Sequence, residues 1–299
     1  MACAPSDSEC AQQLVQHAQT LVDNGQWRQA RIVLDSLHAA YPREVAQRRA
    51  AKALNDSITY LEAQSTLAYA DSMLPPLLEQ SDKLLKQFKY EKNDKYEDKG
   101  RYVHRLLNTG GNTSRNFLQA YVQDDRQTIV KSYYYGSYQV NQQQVTLSAQ
   151  GEEMRFAGSN HAFEAEGWHE IMTLEDESAL QLLNFVSAHY SDRVRVYGAG
   201  EKPTHTWVYY LNDKEKEALS QTYQLGFLMK DILRLEQMGN TARNQIAYYE
   251  RKYLNAVPTA NEWLEITLVA DRNSMATEQD LPTEIVGIFA VPQLLYVLR

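Results

Sequence analysis

Two long helical seams, one on each side of a region that alternates like β-strand, constrain this chain more than any other feature. From Glu44 to about Lys92, Ala51, Leu54, Ile58, Leu61 and Ala68 step by three and four, with Ser65 filling one seam position. After "MLPPLL" the seam resumes out of phase at Leu74, Leu77, Leu84 and Phe88. A second seam crosses residues 213–254 through Leu225, Leu228, Ile232, Leu235, Ala242, Ile246, Tyr249 and Tyr253, with Gly239 its one soft position. An apolar stripe of this kind has to be covered, and the simplest cover for one seam is the other. The two helices are expected to pack antiparallel as a stalk that brings both ends of the middle region together. Pro75 and Pro76 each lack a backbone donor, which predicts a kink or a fresh helix start there.

Between the seams, residues 99–212 change character. β-branched and aromatic residues alternate with polar ones, and turn signals recur. The expected strands are "RYVHRLL", "NFLQAYVQ", "TIVKSYYYGSY", "QVTLSAQG", "EMRFAG", "AFEAEGWHEIMTL", "RVRVYGAG" and "HTWVYYLND". Residues 178–190, with Leu182, Leu183, Phe185 and Val186, read as one short helix. The fold class is therefore α+β: an antiparallel β sandwich or small barrel inserted into a helical stalk. The organisation follows as 1–10 leader or tether, 11–98 helical hairpin and stalk helix, 99–212 β domain, 213–254 returning stalk helix, and a tail at 255–299 that continues no pattern.

Residues 11–42 read as two helices broken at "DNG", with Leu14, Ala18 and Leu21 on the first stripe and Trp27, Ala30, Leu34 and Leu37 on the second. The hairpin stops at "YPRE", where Pro42 cannot continue it. It resembles one tetratricopeptide repeat, with Ala30, Leu34 and Pro42 at the expected offsets and Leu14, Ala18 and Leu21 where Trp, Gly and Tyr are typical. One repeat cannot build a concave peptide groove, so the resemblance implies a structural cap or a small docking face.

The opening "MACAPSDSEC" carries the chain's two cysteines, Cys3 and Cys10, which lack metal-site spacing. Ala2–Cys3 resembles the end of a bacterial lipobox, and "APSDSE" is similar to the polar, acidic tether that follows the lipidated cysteine in surface lipoproteins of Bacteroidota. With "LLKQFKYEKNDKYEDKGRYVHR" and "SYYYGSY", the whole layout resembles uncharacterised lipoproteins of that group. The resemblance implies lipidation at Cys3, a place at the outer membrane or cell surface, and contact with the membrane through the lipid alone. No apolar run of the ~20 residues needed for a membrane span interrupts this reading.

Chemistry is sparse. A net charge of −8 opposes nucleic-acid binding, which requires a positive field. Lys83, Lys86, Lys89, Lys92 and Lys95 alternate with acids and read as a solvated, ion-paired helix end. "YGAGEKPTH" lacks the phosphate-loop spacing and reads as a hairpin turn. His161, Glu164, Glu166, His169 and Glu170 form the densest set of ionisable groups. Strand alternation puts the two histidines on one face and the three glutamates on the other, and a bulge at Gly167 would move His169 across. This is not HExxH, and the cluster reads as the wet face of a strand. No catalytic residue, metal ligand or cofactor is expected.

Tyrosine is the compositional outlier, with 20 residues against 4 Trp and 7 Phe. In "KSYYYGSY", Tyr133 and Tyr135 face one way and Tyr134 and Tyr138 the other. If the second pair is exposed, it forms an aromatic platform with Trp207 or Tyr209 from a neighbouring strand. The expected function is a non-catalytic envelope protein that acts as a structural or interaction module. The alternatives are a module that binds a glycan or peptide on Tyr134, Tyr138, Trp207 and Tyr209, and, further off, a hydrolase. Either way, the partner is an envelope protein or a glycan.

Overall fold

The computed structural model describes residues 6–93, 95, 97–107, 114–200 and 205–254. Cys3 and the tail at 255–299 lie outside the described residues. The chain divides into two compact units: residues 1–71 with 238–299, and residues 72–237.

In the first unit, helix α1 (Asp7–Asp23) starts on a capping box. Ser6 Oγ accepts from Glu9 N–H, and the Glu9 carboxylate accepts from Ser6 N–H. Residues 7–10, expected to belong to a tether, are helical, because Ser6 and Glu9 read as S-x-x-E and open a helix. Gly25, at φ +72°, turns the chain into α2 (Trp27–Ala40). Ala18, Val22, Ala30, Leu34 and Leu37 form a core with Ala51, Leu54 and Ile58 of α3 (Val45–Leu85). Arg31 of α2 fastens it by donating to Asn55, Thr59 and Glu62.

Within this unit, residues 56–71 of α3 meet residues 243–253 of the final helix, α5 (Asp213–Leu254), in antiparallel order. Arg243 meets Asp71 at 2.9 Å, Tyr60 reaches Glu250, and Tyr253 donates to Asp56 at 2.8 Å. Helix α3 continues through Pro75 and Pro76, which leaves out the fresh start of the two outcomes expected there. Its seam also shifts after Leu61 to Ala63 and Ala70, leaving Ala68 exposed. No helix among the described residues is long and apolar enough to cross a membrane.

The second unit holds two antiparallel sheets and is not a closed barrel. The strands are β1 (Phe88–Glu91), β2 (Arg101–His104), β3 (Phe117–Gln123), β4 (Thr128–Gly136), β5 (Gln142–Ala149), β6 (Glu152–Ala157), β7 (Ser159–Glu164), β8 (Trp168–Glu175), β9 (Arg195–Gly200) and β10 (Thr206–Tyr210). Six form a sheet in the order β1-β2-β3-β4-β8-β7, and four form a second in the order β10-β9-β5-β6. Helix α4 (Asp176–Ala188) lies between β8 and β9 in sequence, where one short helix was expected.

On the inner face of the larger sheet, Leu118, Ala120, Val122, Val130, Tyr134, Met172 and Leu174 of its central strands are buried. Val145, Leu147, Val196 and Trp207 of the second sheet and Leu182 and Leu183 of α4 join its core. Leu225 and Met229 of α5 form a separate small cluster with Phe88 and Val122.

Two boundaries were not foreseen. Helix α3 ends at Leu85, and Phe88–Glu91, expected to be helical, form edge strand β1 on β2. "AFEAEGWHEIMTL" is not one strand but the end of β7, a turn and β8, because Glu166 (φ +54°) and Gly167 (φ +142°) reverse the chain. The chain crosses from one sheet to the other at Gly158, where a Cβ would stand 2.3 Å from the Thr173 carbonyl oxygen.

Candidate functional site

Strand β4 sorts its tyrosines by alternation, but it buries Tyr134, which the platform reading required to be exposed. Tyr134 points inward and is 4% exposed. Its hydroxyl donates to the Tyr138 carbonyl at 2.9 Å, and its ring lies 6.3 Å from that of Trp207. Burial pushes its pKa up to about 12. Trp207 is buried and lies on Gly198, where a Cβ would fall 2.2 Å from the indole. Tyr209 stacks on Trp207 at 5.9 Å, and burial raises its pKa well above the usual tyrosine value. Tyr138 is the most exposed of the four, yet its hydroxyl donates to the Thr206 carbonyl at 3.0 Å. Tyr134, Tyr138, Trp207 and Tyr209 do converge, as the aromatic seam joining the two sheets. The exposed platform is corrected by this packing: the second sheet covers the face that alternation left open.

The aromatic surface lies on the opposite face. Tyr133 stacks on Phe117 at 4.3 Å and donates its hydroxyl to Gln119. Pairing of β4, β8 and β7 sets Tyr133 beside Ile171, Tyr135 beside His169, His169 beside Phe163, and Ile171 beside His161. Around them a recess of about 390 Å³ is lined by Ser114, Tyr133, Phe163, Ala165, Glu166, His169 and Ile171. Phe163 is 42% exposed, and its ring is stacked on His169 at 4.9 Å with an interplanar angle of 5°. Tyr135 approaches the same imidazole at 4.9 Å and donates its hydroxyl to the Glu166 carbonyl. His169 Nε2 donates to the Ala165 carbonyl at 3.0 Å; a carbonyl only accepts, so in the neutral ring the lone pair is on Nδ1.

The ionisable cluster is divided by the sheet. His161 and His169 share the outer face, flanking Phe163, on two strands and not one. Glu164 ends β7, and Glu166 is within the turn that follows. Glu170 is fully buried on the inner side. Its Oε1 accepts from the backbone N–H groups of Val140 and Asn141, and its Oε2 from Gln142 N–H and Asn160 Nδ2. Glu170 therefore clamps the link between β4 and β5 onto β8. Among the described residues, no group of three His, Cys, Asp or Glu side chains is placed to hold a metal ion.

Sequence reasoning did not single out His189, which lies just after α4. Its Nδ1 is 2.9 Å from Asp192 and its Nε2 3.2 Å from Glu152. The hydrogen bond to Asp192 leads the effects that raise its pKa. The recess also escaped it, because an aromatic platform was sought on the face of Tyr134 and Tyr138. The signal present was the pair Gly158 and Gly167, which bracket β7 as a separate strand. No protein-family model, curated protein or solved structure matches the chain.

Proposed function

We propose that this protein is a non-catalytic interaction module of the cell envelope, held there by lipid on Cys3, and that it engages a partner protein through the outer face of its six-stranded sheet. The recess at Tyr133, Phe163, His169 and Ile171 carries the reading. Its volume suits one large side chain, and a half-exposed aromatic on a rigid strand is the kind of group that anchors an interface. Glu170, the carboxylate between His169 and Ile171 on β8, has both oxygens occupied by donors, which supports binding over proton transfer. The lipid anchor rests on the Ala2–Cys3 junction and its polar neighbours.

A photo-crosslinking amino acid at Ser114, on the rim of the recess, tests the binding face in cells. A discrete envelope-protein adduct, lost on Phe163→Ala or His169→Ala, is expected. No adduct, or the same adduct from the exposed position of Ile32, overturns the reading. Retention of a purified glycan that Phe163→Ala abolishes, with no protein adduct, transfers the face to carbohydrate recognition. Fatty-acid labelling of wild type against Cys3→Ser checks the anchor, and equal labelling refutes it.

A further inference from the structure

The ladder geometry shows which backbone groups of β7 pair with no other described strand. Tyr135 N–H donates to Asn116 Oδ1, and Gln123 N–H donates to the Gln127 carbonyl, so odd-numbered residues of β4 bond toward β3. An antiparallel ladder alternates its bonded pairs, so even-numbered residues of β4 bond to β8. Tyr134 pairs with Glu170 and Ser132 with Met172, which leaves His169, Ile171 and Thr173 to bond with β7. Their partners are Phe163, His161 and Ser159. Asn160, Ala162 and Glu164 therefore direct N–H and C=O groups out of the free edge. The turn agrees, since Ala165 N–H donates to the Gly167 carbonyl.

Among the described strands, the other three edges are blunted, as lone edges usually are. Strand β1 carries the Lys89–Glu91 ion pair, and Glu91 also meets Arg101. Strand β6 has Glu152, Glu153 and Arg155 among its six residues. On β10 the Thr206 carbonyl is capped by Tyr138. Strand β7 is exposed along its length apart from half-buried Ala162, and its one charge is Glu164, at its end.

The sequence of β7 is complementary to itself. With Ala162 opposite its own copy, Asn160 faces Glu164 and His161 faces Phe163, each twice. Three residue pairs then exchange two backbone hydrogen bonds apiece, and no like charges oppose. Asn160 uses one amide hydrogen on Glu170 and retains the second for the facing Glu164 carboxylate. Sliding the strands either way keeps only two bonded pairs and sets His161 against His161 or Phe163 against Phe163.

We propose that two copies of this chain pair through β7 across a two-fold axis, joining their six-stranded sheets into one. This is independent of the recess reading: a monomer leaves the Ser114 crosslinks untouched, and an unliganded recess leaves the pairing untouched.

Sedimentation velocity of the full chain over a concentration series tests it. A reversible dimer is expected, lost in Ala162→Pro, which removes an edge-facing N–H that β8 does not use. Should that variant misfold, Ala162→Cys in a Cys3→Ser, Cys10→Ser background provides the second measurement: mild oxidation is expected to link two chains through position 162. A wild-type monomer at hundreds of micromolar overturns the proposal. So does a dimer unaffected by Ala162→Pro, or an Ala162→Cys variant that stays unlinked.

Discussion

Replacing Glu170 with Ala is expected to cost more stability than any surface carboxylate in this protein. The side chain is fully buried and accepts four hydrogen bonds, three from consecutive backbone N–H groups and one from Asn160. Truncation strands these donors unequally. Asn141 and Asn160 are exposed, and water can serve them. Val140 and Gln142 are 1% and 2% exposed, so their N–H groups lose an acceptor that nothing replaces. At about 1–3 kcal/mol for each stranded donor, the loss is about 2–6 kcal/mol. Glu170→Gln keeps one oxygen but turns an NH₂ toward a backbone N–H, and about half that loss is expected. Urea unfolding followed by tryptophan fluorescence, where Trp207 and Trp168 report on this unit, measures both. The released segment includes Tyr138, so faster exchange of amides around Thr206 should accompany the loss. A Glu170→Ala protein within about 1 kcal/mol of wild type, or one no less stable than Glu170→Gln, would refute the reasoning.

Two helical glycines of α5 should respond in opposite directions. Gly226→Ala puts a Cβ 2.4 Å from Thr128 Oγ1 and is expected to destabilise by about 1–3 kcal/mol, with partial rescue by Thr128→Ala. Gly239→Ala meets Ala70 at an ordinary 3.5 Å and should stabilise by up to about 1 kcal/mol through helix propensity; thermal melts of the four variants decide this. The pKa of His189 is raised in the fold, so its contribution is complete below the unfolded value of about 6.5 and disappears as pH rises through the folded value. A stability profile against pH should lose that fall in His189→Gln, and NMR titration of the imidazole should place its pKa above the unfolded reference.

Much of the architecture was legible because helices and strands announce themselves by period. Leu225, Ile232, Leu235 and Ala242 are buried as their spacing requires, and the alternation in "NFLQAYVQ" and "TIVKSYYYG" became β3 and β4. Local chemistry was readable too, though not all of it was used: Ser6 and Glu9 encode the start of α1, and Gly158 and Gly167 bracket β7. What misled was length. A helical seam carried on to Phe88 gives no sign that the last residues will pair with β2, because four residues satisfy either period.

From the sequence alone, the two tyrosine faces of β4 were separable, since alternation is a property of one strand's own backbone. Which face would be covered was not, because cover comes from residues far along the chain. Tyr134 is buried by Trp207, and Tyr133 is left at a recess with Phe163 and His169, through pairings that only the sheet order creates. The same holds for Glu170: one acidic residue in a strand reads as wet, and only the fold brings Val140, Asn141, Gln142 and Asn160 to it. Periodicity is a local quantity, whereas burial is a sum over every element that packs nearby.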